Sequence, residues 1–166
     1  MAEAVSKDDF KAFMSNFASG VTVVTTVDQD GNPWGLTVSA FSSLSLDPPL
    51  CLVCVDHRAG SLETFRTSRR FAVNILSDKQ EDISNRFASR SEDKFVDTNW
   101  QPGPVLECPV FADVLAWTEC EVTEIIPGGD HDIFVGQLVK VEAGEGQPLL
   151  YFNGAYGDIT SRPKSW

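Results

Sequence analysis

The chain has 166 residues, of which 13 are basic and 24 acidic, so it carries a formal charge of −11 and has a pI near 4.5. This length suits one domain with a single core, and an apolar share of 42% is typical of a globular protein. Because nucleic-acid binding draws most of its affinity from Lys and Arg on phosphates, the acidic balance argues against nucleic acid and anionic membrane surfaces as partners. No apolar run is long enough to span a bilayer and the start lacks a signal-peptide pattern, so we expect a cytoplasmic protein.

The first part of the chain predicts a helix followed by a hairpin. Ser6 opens a capping box and apolar residues follow at helical spacing, so we expect an amphipathic helix that ends near Gly20 and covers part of the core. Every residue from Val21 to Val27 is β-branched, which favours a strand. A turn at Asp30-Gly31 then leads into a second strand from Trp34 to Phe41.

Strands and short helices alternate in the middle of the chain. The polar run from Ser42 to Asp47 is closed by two prolines and is predicted to lack regular structure. After it the pattern predicts four elements: a strand over Leu50–Val55, a helix over Ala59–Ser68, a strand over Phe71–Leu76, and a helix that begins with the capping box Ser77–Gln80 and runs to about Ala88.

Residues 89–109 are rich in polar residues, Pro and Gly, which predicts a surface excursion with one helical turn around Phe95. Two long strand patterns, Val114–Ile126 and Ile133–Val141, follow on either side of a turn, and a last strand covers Leu149–Phe152. About seven strands with helices inserted singly argue against a doubly wound α/β sheet. We therefore expect a mostly antiparallel barrel, in one domain over residues 1–166.

The cysteines and histidines do not predict a metal site. Cys51 and Cys54 look like a C-x-x-C pair, but they lie inside a predicted strand, where residues three apart point to opposite faces. Cys108 and Cys120 add no ligand pair at zinc-like spacing, and we expect all four thiols to be reduced.

Several catalytic classes lack their sequence signals. No G-x-S-x-G elbow accompanies the two histidines, which argues against a hydrolase. A dinucleotide, if bound, is not held by a Rossmann turn or a P-loop, because neither glycine motif occurs. Acid–base chemistry by a pair of carboxylates stays open, although acidic residues are so numerous that no pair stands out.

One hydroxyl-rich region is a candidate phosphate site. Several Ser and Thr side chains lie in residues 37–45, at the end of a predicted strand, and Arg58 and Ser61 lie at a predicted helix start. Hydroxyl groups, one Arg and the N–H groups of a helix start are suitable ligands for a phosphate. Residues 58–94 hold eight basic and six acidic side chains, so this stretch is net positive in an acidic protein. The alternative interpretation is a polar β-bulge followed by an ordinarily capped helix. His131, at the tip of the last long hairpin, is likewise either a turn residue or a functional one.

Five ordered segments together span nearly the whole chain: S-G-V-T-V-V-T (Ser19–Thr25), T-V-S-A-F-S-S-L-S-L-D-P-P-L (Thr37–Leu50), F-A-V-N-I-L (Phe71–Leu76), G-D-H-D-I-F-V-G (Gly129–Gly136) and Y-F-N-G-A-Y (Tyr151–Tyr156). In this order they resemble the flavin reductase-like family, in particular the small reductase components of two-component flavin monooxygenases.

The resemblance implies a mainly β fold: a split β-barrel of the Greek-key, FMN-binding type with a few short helices. It implies a homodimer in which NADH or NADPH reduces FMN or FAD, and reduced flavin passes to a partner monooxygenase. In such a reaction the flavin supplies the chemistry, which agrees with the missing nucleophile and metal motifs.

The resemblance also assigns residues by motif. His131 is placed at the nicotinamide side of the flavin as the catalytic residue. The cofactor-binding residues are Thr37, Ser39, Ala40, Phe41 and Ser42 along the flavin ring and ribityl chain, Asp56, His57, Arg58 and Ser61 near the phosphate, Arg86 and Phe87 on the second connecting helix, and Tyr156 at the nicotinamide side. Asn153 and Ala155 stand where family members often carry a basic residue, so the choice between NADH and NADPH stays open.

A second function class remains compatible with these residues. A non-catalytic flavin-binding electron carrier on the same fold would keep its flavin and admit no nicotinamide, whereas His131 and Tyr156 favour a reductase. An oxidase of a phosphorylated vitamin on a related barrel would call for more basic residues than residues 58–94 supply.

Overall fold

The computed structural model of the protein describes residues 3–159. The helices in this part of the chain are α1 (Lys7–Met14), α2 (Leu62–Ser68) and α3 (Glu81–Ala88). The strands are β1 (Ser19–Gly20), β2 (Thr22–Val27), β3 (Pro33–Val38), β4 (Phe41–Ser45), β5 (Leu50–Asp56), β6 (Arg70–Ile75), β7 (Trp100–Pro102), β8 (Pro109–Phe111), β9 (Ala116–Gly128), β10 (His131–Ala143), β11 (Leu150–Phe152) and β12 (Ala155–Gly157). The predicted mainly β fold with a few short helices is confirmed.

The main sheet has seven antiparallel strands in the order β3-β2-β6-β9-β10-β5-β4. Its two edge strands follow each other in the chain, because β3 ends at Val38 and β4 begins at Phe41. Three residue steps reach at most about 10 Å, so the sheet curls until its edges approach. Within the described residues, no ladder of hydrogen bonds joins β3 to β4. The sheet therefore has a gap between its two edges, as expected for a split barrel.

Two small sheets complete the architecture. β1, β11 and β12 form a three-stranded sheet in which Ser19 is paired with Tyr151, and β7 pairs with β8 inside the excursion after α3. None of the helices in residues 3–159 is long and apolar enough to cross a membrane.

The core has two main parts. The larger part fills the curled sheet with Val, Phe and Cys side chains, and Phe65 of α2 meets Phe134 edge to face with ring centroids 6.0 Å apart. The second part lies under α3, where the buried Phe87 contacts Phe95 at 4.9 Å and Phe111 at 5.1 Å. Such pairs contribute about 0.5–1.5 kcal/mol each beyond their burial, so the excursion is anchored to the body of the protein.

Asn74, the polar residue inside the buried segment F-A-V-N-I-L, joins three strands. Its buried amide donates to the carbonyls of Val23 and Pro109, both at 3.2 Å, and its Oδ1 accepts from the Phe111 backbone N–H at 2.9 Å. One side chain thereby joins β6 to β2 and β8. Cys51 and Cys120 meet across the core with their Sγ atoms 3.7 Å apart, and all four cysteines are free thiols.

Two local predictions were wrong. The first helix ends at Met14 instead of near Gly20, and its apolar side chains are exposed and cover no core. The run predicted to be irregular contains β4, because hydroxyl side chains suit an exposed edge strand that pairs with β5 on one side only. The excursion has the predicted turn around Phe95, at residues 94–97, and Phe95 packs inward; it also contains the strand β7, which the sequence pattern does not predict.

Candidate functional site

Two turns meet at one end of the main sheet. Asp56, the last residue of β5, is paired with His131, the first residue of β10. Directly beyond that pair, the backbone N–H of His57 donates to the carbonyl of Asp130 at 2.9 Å. The turn after β5, predicted near a flavin phosphate, therefore lies against the G-D-H turn, predicted near a nicotinamide.

Arg58 is held by Asp56 but keeps free donors. Its Nη2 lies 2.6 Å from Oδ2 of Asp56, its Nε donates to the same carboxylate, and its backbone N–H donates to Oδ1 at 2.8 Å. The guanidinium holds the pKa of Asp56 well below its usual range. The Arg58 side chain is 86% exposed, and its Nη1 makes no hydrogen bond to any residue in the described part of the chain. It can bind an anion from solvent without leaving Asp56.

Asp132 is a buried carboxylate directly behind these turns. It is 7% exposed, and it accepts from Nε2 of His57 at 2.9 Å on Oδ1 and from Arg66 Nε at 2.8 Å on Oδ2. The hydrogen bond from His57 and the Arg66 guanidinium lower the pKa of Asp132 against the opposing effect of burial. Arg66 also pairs with Glu63 on the outer side of α2.

His131 is partly exposed at the tip of the hairpin. Its Nδ1 lies 2.8 Å from Oδ1 of Asp130, and this contact with His131 lowers the pKa of the Asp130 carboxyl. The ring is thereby oriented by its neighbour, with Nε2 on the side away from that carboxylate.

A second polar group lies where β3, α3 and β12 meet. The hydroxyl of Thr37 donates to the carbonyl of Ser84 at 2.6 Å. The Ser84 hydroxyl is 2.8 Å from the hydroxyl of Tyr156, which also donates to Asn85 Oδ1 at 3.2 Å. Thr37, predicted along the flavin ring and ribityl chain, and Tyr156, predicted at the nicotinamide side, are thus joined through one residue of α3.

The crossing from β3 to β4 connects these two groups. Ser39 and Ala40 are exposed, and the carbonyl of Ala40 accepts from the backbone N–H of Cys54 at 3.0 Å. Because β4 runs antiparallel to β5, the start of β4 lies beside the end of β5 and hence near Asp56. Phe41 packs partly into the core, and the exposed Ser42 hydroxyl bonds only to the next residue's carbonyl.

The remaining predicted residues are engaged elsewhere. Ser61 is buried at the start of α2, where its hydroxyl does not cap the helix. Arg86 donates to the Val96 carbonyl and to the Thr98 hydroxyl in the excursion. Phe87 is buried in the aromatic cluster described above. A flavin contact by Arg86 or Phe87 stays a prediction.

The residues present fit a flavin. The crossing at 39–42 offers exposed hydroxyls and the unpaired side of an edge strand, which supply donors and acceptors for the polar edge of a ring and a polyol chain. The free Nη1 of Arg58 suits a phosphate. A separate cleft of about 800 Å³ lies between the start of α3 and the loops at 97–99, 111–114 and 145–147, and its lining includes none of the predicted site residues.

The sequence does not indicate the contacts that three residues of this site make. Ser84 has the pattern of an ordinary polar position of α3, and Arg66 that of a residue on a solvent-exposed helix face. Asp132 stands in the G-D-H-D motif, but its contact with His57 spans 75 positions and depends on the β5–β10 pairing.

Comparison with known proteins shows which family the chain belongs to. Residues 14–160 match the model of the flavin reductase like domain. The chain belongs to the flavin reductase-like family. The predicted resemblance is therefore confirmed.

Two relatives of the chain are a flavin reductase and the reductase component of a monooxygenase, by their names. It is 45% identical over 140 residues to the probable flavin reductase of Rhizobium meliloti, a match that covers 84% of this chain and 45% of that protein. It is 39% identical to the reductase component of a 4-nitrophenol 4-monooxygenase/4-nitrocatechol 2-monooxygenase from Rhodococcus opacus, covering 93% of this chain and 82% of that protein. The chain thus spans less than half of one relative and most of the other.

Solved structures show the same fold. Component B of a nitrilotriacetate monooxygenase from Mycobacterium thermoresistibile superposes with a TM-score of 0.90 at 37% identity, covering 99% of this chain and 94% of that chain. The NADH:FAD oxidoreductase of Streptomyces globisporus C-1027, in complex with NAD and FAD fragments, gives a TM-score of 0.88 at 32% identity, covering 96% of this chain and 98% of that chain.

Proposed function

We propose that the chain is an NAD(P)H-dependent flavin reductase, which transfers hydride from nicotinamide to FMN or FAD and supplies reduced flavin to a partner monooxygenase. The observation that carries the proposal is the meeting of three segments at one end of the sheet: the turn with Arg58, the turn with His131 and the exposed 39–42 crossing. The names of the relatives, among them a flavin reductase (NADH) and the reductase components of monooxygenases, support the same activity.

The proposed roles follow from the contacts of each residue. Arg58 binds the flavin phosphate through its free donors, while Asp56 keeps its guanidinium in place. The 39–42 crossing binds the ring and ribityl chain. A bound flavin supplies the hydride acceptor, so the chain needs no nucleophile or metal of its own. His131 and Tyr156 orient the nicotinamide against the ring and exclude water, since hydride transfer needs the two rings at near-attack distance.

A second copy of the chain is the proposed partner at the aromatic face, which we define as the exposed side chains of Phe10, Phe13, Met14, Phe17 and Tyr151. These side chains are 40–75% exposed, and no residue of α1 is buried. At about 200 Å² per large side chain they expose roughly 570 Å², a large part of the roughly 800 Å² that each partner of a stable complex buries.

The aromatic face also borders the site. The ring of Tyr151 meets that of Tyr156 edge to face with centroids 5.4 Å apart. A second copy on this face would therefore pack beside the residue proposed to contact nicotinamide. We propose a homodimer in which each copy shields that end of the other's site. Because the reductant is a nicotinamide nucleotide, we propose the cytoplasm as the compartment.

The test is direct. The purified chain is mixed with NADH or NADPH and with FMN or FAD, and loss of nicotinamide absorbance is followed in all four combinations against a protein-free control. Acceleration in at least one combination is expected. No acceleration in any of them overturns the reductase proposal, and tight flavin binding without nicotinamide oxidation would favour the electron carrier.

A further inference from the structure

Asp132 joins three segments through one carboxylate. It is the second residue of β10, Oδ1 accepts from His57 in the turn after β5, and Oδ2 accepts from Arg66 in α2. At Arg66 both Nε, at 2.8 Å, and Nη2, at 2.7 Å, contact the same oxygen. Within residues 3–159, the hydrogen-bond partners of this buried carboxylate are donors from the turn and the helix that follow β5.

The two partners lie on either side of Arg58, the residue proposed to bind phosphate. His57 immediately precedes Arg58, and Arg66 lies eight residues after it, in α2. The chain from 57 to 66 is therefore tied to β10 at both ends by Asp132. The edge-to-face contact of Phe65 with Phe134 packs the same helix on the same strand, but an apolar contact does not fix the direction in which the preceding turn points.

Charge-assisted hydrogen bonds to a buried group are short and directional, so they restrain a turn more tightly than backbone hydrogen bonds at its edge do. The backbone link from His57 to Asp130 joins only the first residue of the turn to the hairpin. Asp132 adds two further links, one to the side chain of His57 and one to Arg66 in α2. Together these links restrict rotation of the turn about the end of β5.

We propose that Asp132 is a positioning residue, whose carboxylate holds His57 and Arg66 so that Arg58 faces the flavin phosphate. This inference rests on the proposed function, because that function assigns the phosphate to Arg58. Asp132 touches neither flavin nor nicotinamide in this role, and it acts through the 57–66 segment alone.

A purely structural role predicts a different result from a positioning role. If Asp132 only stabilises the fold, its loss weakens every ligand of the site to the same extent. If it positions the phosphate contacts, its loss weakens a ligand with a phosphate more than the same ligand without one. FMN and riboflavin form such a pair, since they share the ring and ribityl chain and differ by the phosphate.

The experiment measures the Kd of FMN and of riboflavin by quenching of flavin fluorescence, with no nicotinamide present. The variant is Asp132→Asn, which keeps the shape and one acceptor but removes the charge. We expect the Kd of FMN to rise about tenfold and that of riboflavin less than about twofold. Arg66→Gln, which leaves the buried carboxylate intact, is the second variant in case Asp132→Asn folds poorly, and it should shift the same ratio in the same direction.

Glu63→Gln is the matched control. Glu63 pairs with the same guanidinium, but it is 74% exposed and does not contact His57, so its loss should leave both Kd values as in the unmodified chain. Equal weakening of FMN and riboflavin by Asp132→Asn, or no change in either, overturns the inference. So does an unmodified chain that binds riboflavin as tightly as FMN.

Failure of the proposed function is separable from failure of this inference. A chain that shows the expected FMN-to-riboflavin pattern but does not oxidise NADH or NADPH contradicts only the reductase proposal. A chain that oxidises nicotinamide with flavin, while Asp132→Asn leaves the Kd ratio unchanged, contradicts only the positioning role.

Discussion

Gly103 packs directly on the carboxylate of Glu119, which is completely buried in β9. A Cβ at position 103 would overlap that carboxylate. Glu119 accepts from the backbone N–H groups of Val105 and Leu106, both at 2.9 Å, and of Cys108 at 3.3 Å. The loop between β7 and β8 is therefore wrapped around a single acidic side chain, which replaces the backbone partners that the loop lacks.

Replacement of Glu119 by Ala should strongly destabilise the fold. It leaves three inward-facing backbone donors without an acceptor, and each such donor costs about 1–3 kcal/mol. We expect the free energy of unfolding, measured in urea, to fall by about 3 kcal/mol or more. Glu119→Gln keeps one acceptor oxygen and should lose less. Equal stability of Glu119→Ala and the unmodified chain would show that water satisfies these donors.

Gly103→Ala provides an independent test of the same contact. The added methyl group has no room beside the carboxylate, so the loop or Glu119 must move. A drop in melting temperature is expected, whereas Gly60→Ala, at an open position, serves as the control. Similar melting temperatures for both alanine variants would contradict this packing.

Glu119 also shows why part of this structure cannot be predicted from the sequence. The alternation along β9 indicates a strand, and the strand was correctly predicted. A glutamate in that pattern reads as solvent-facing, because the loop that covers it belongs to the excursion, whose own strands were not predicted. Burial of a charged side chain depends on a partner supplied by distant backbone, and no local pattern records that partner.

The same distinction applies to the candidate site. The turn with Arg58 and the G-D-H turn with His131 were identified because turn chemistry and family motifs are local. That they touch follows from the pairing of β5 with β10, which spans about eighty positions. The contacts of Asp132 are beyond local patterns for this reason, and so is the burial of Phe87 by aromatic rings of the excursion.

His131→Ala should raise the KM for the nicotinamide and lower kcat/KM about tenfold or more, while the Kd of FMN changes little. The reason is that the role proposed for His131 is to orient the nicotinamide, whereas Arg58 is the residue proposed to hold the flavin phosphate. Steady-state kinetics at saturating flavin measure the first effect and flavin fluorescence the second. A variant with unchanged kcat and nicotinamide KM would remove His131 from the proposed site.

Tyr156→Ala should also raise the nicotinamide KM, by about tenfold, because it removes the aromatic ring and leaves the Ser84 hydroxyl without its 2.8 Å partner. Tyr151→Phe is the control, since it keeps the ring that packs on Tyr156. The measurement is the ratio of nicotinamide KM to flavin KM. A Tyr156→Ala variant in which both KM values rise together points instead to general loosening of the β11–β12 hairpin.

Stability should decrease in acid partly through Asp132. Its pKa in the folded chain is lowered, chiefly by the hydrogen bond from His57 and also by Arg66, so the unfolded chain binds its proton more readily. The stabilisation is thus present above the unfolded pKa of about 4 and is lost as the pH falls through the folded value. Between about pH 5 and pH 3 the urea unfolding free energy of Asp132→Asn should fall less steeply than that of the unmodified chain. Equal slopes would contradict the lowered pKa.

The aromatic face gives the last prediction. Phe13 and Phe17 are the most exposed aromatic residues of α1 and the segment after it, at 75% and 71%. Charges placed there cannot be buried against a second copy, so Phe13→Glu with Phe17→Glu should convert a dimer into monomers in light scattering after size-exclusion chromatography. Leu46→Glu is the control, because Leu46 is 93% exposed but lies in the turn between β4 and β5. Monomers in the unmodified chain, or dimers in the double variant, would contradict the proposed interface.

The same double variant also tests whether the aromatic face affects catalysis. Tyr151 of this face packs on Tyr156, so the monomers should have a raised KM for the nicotinamide. An unchanged KM would show that the face serves assembly alone.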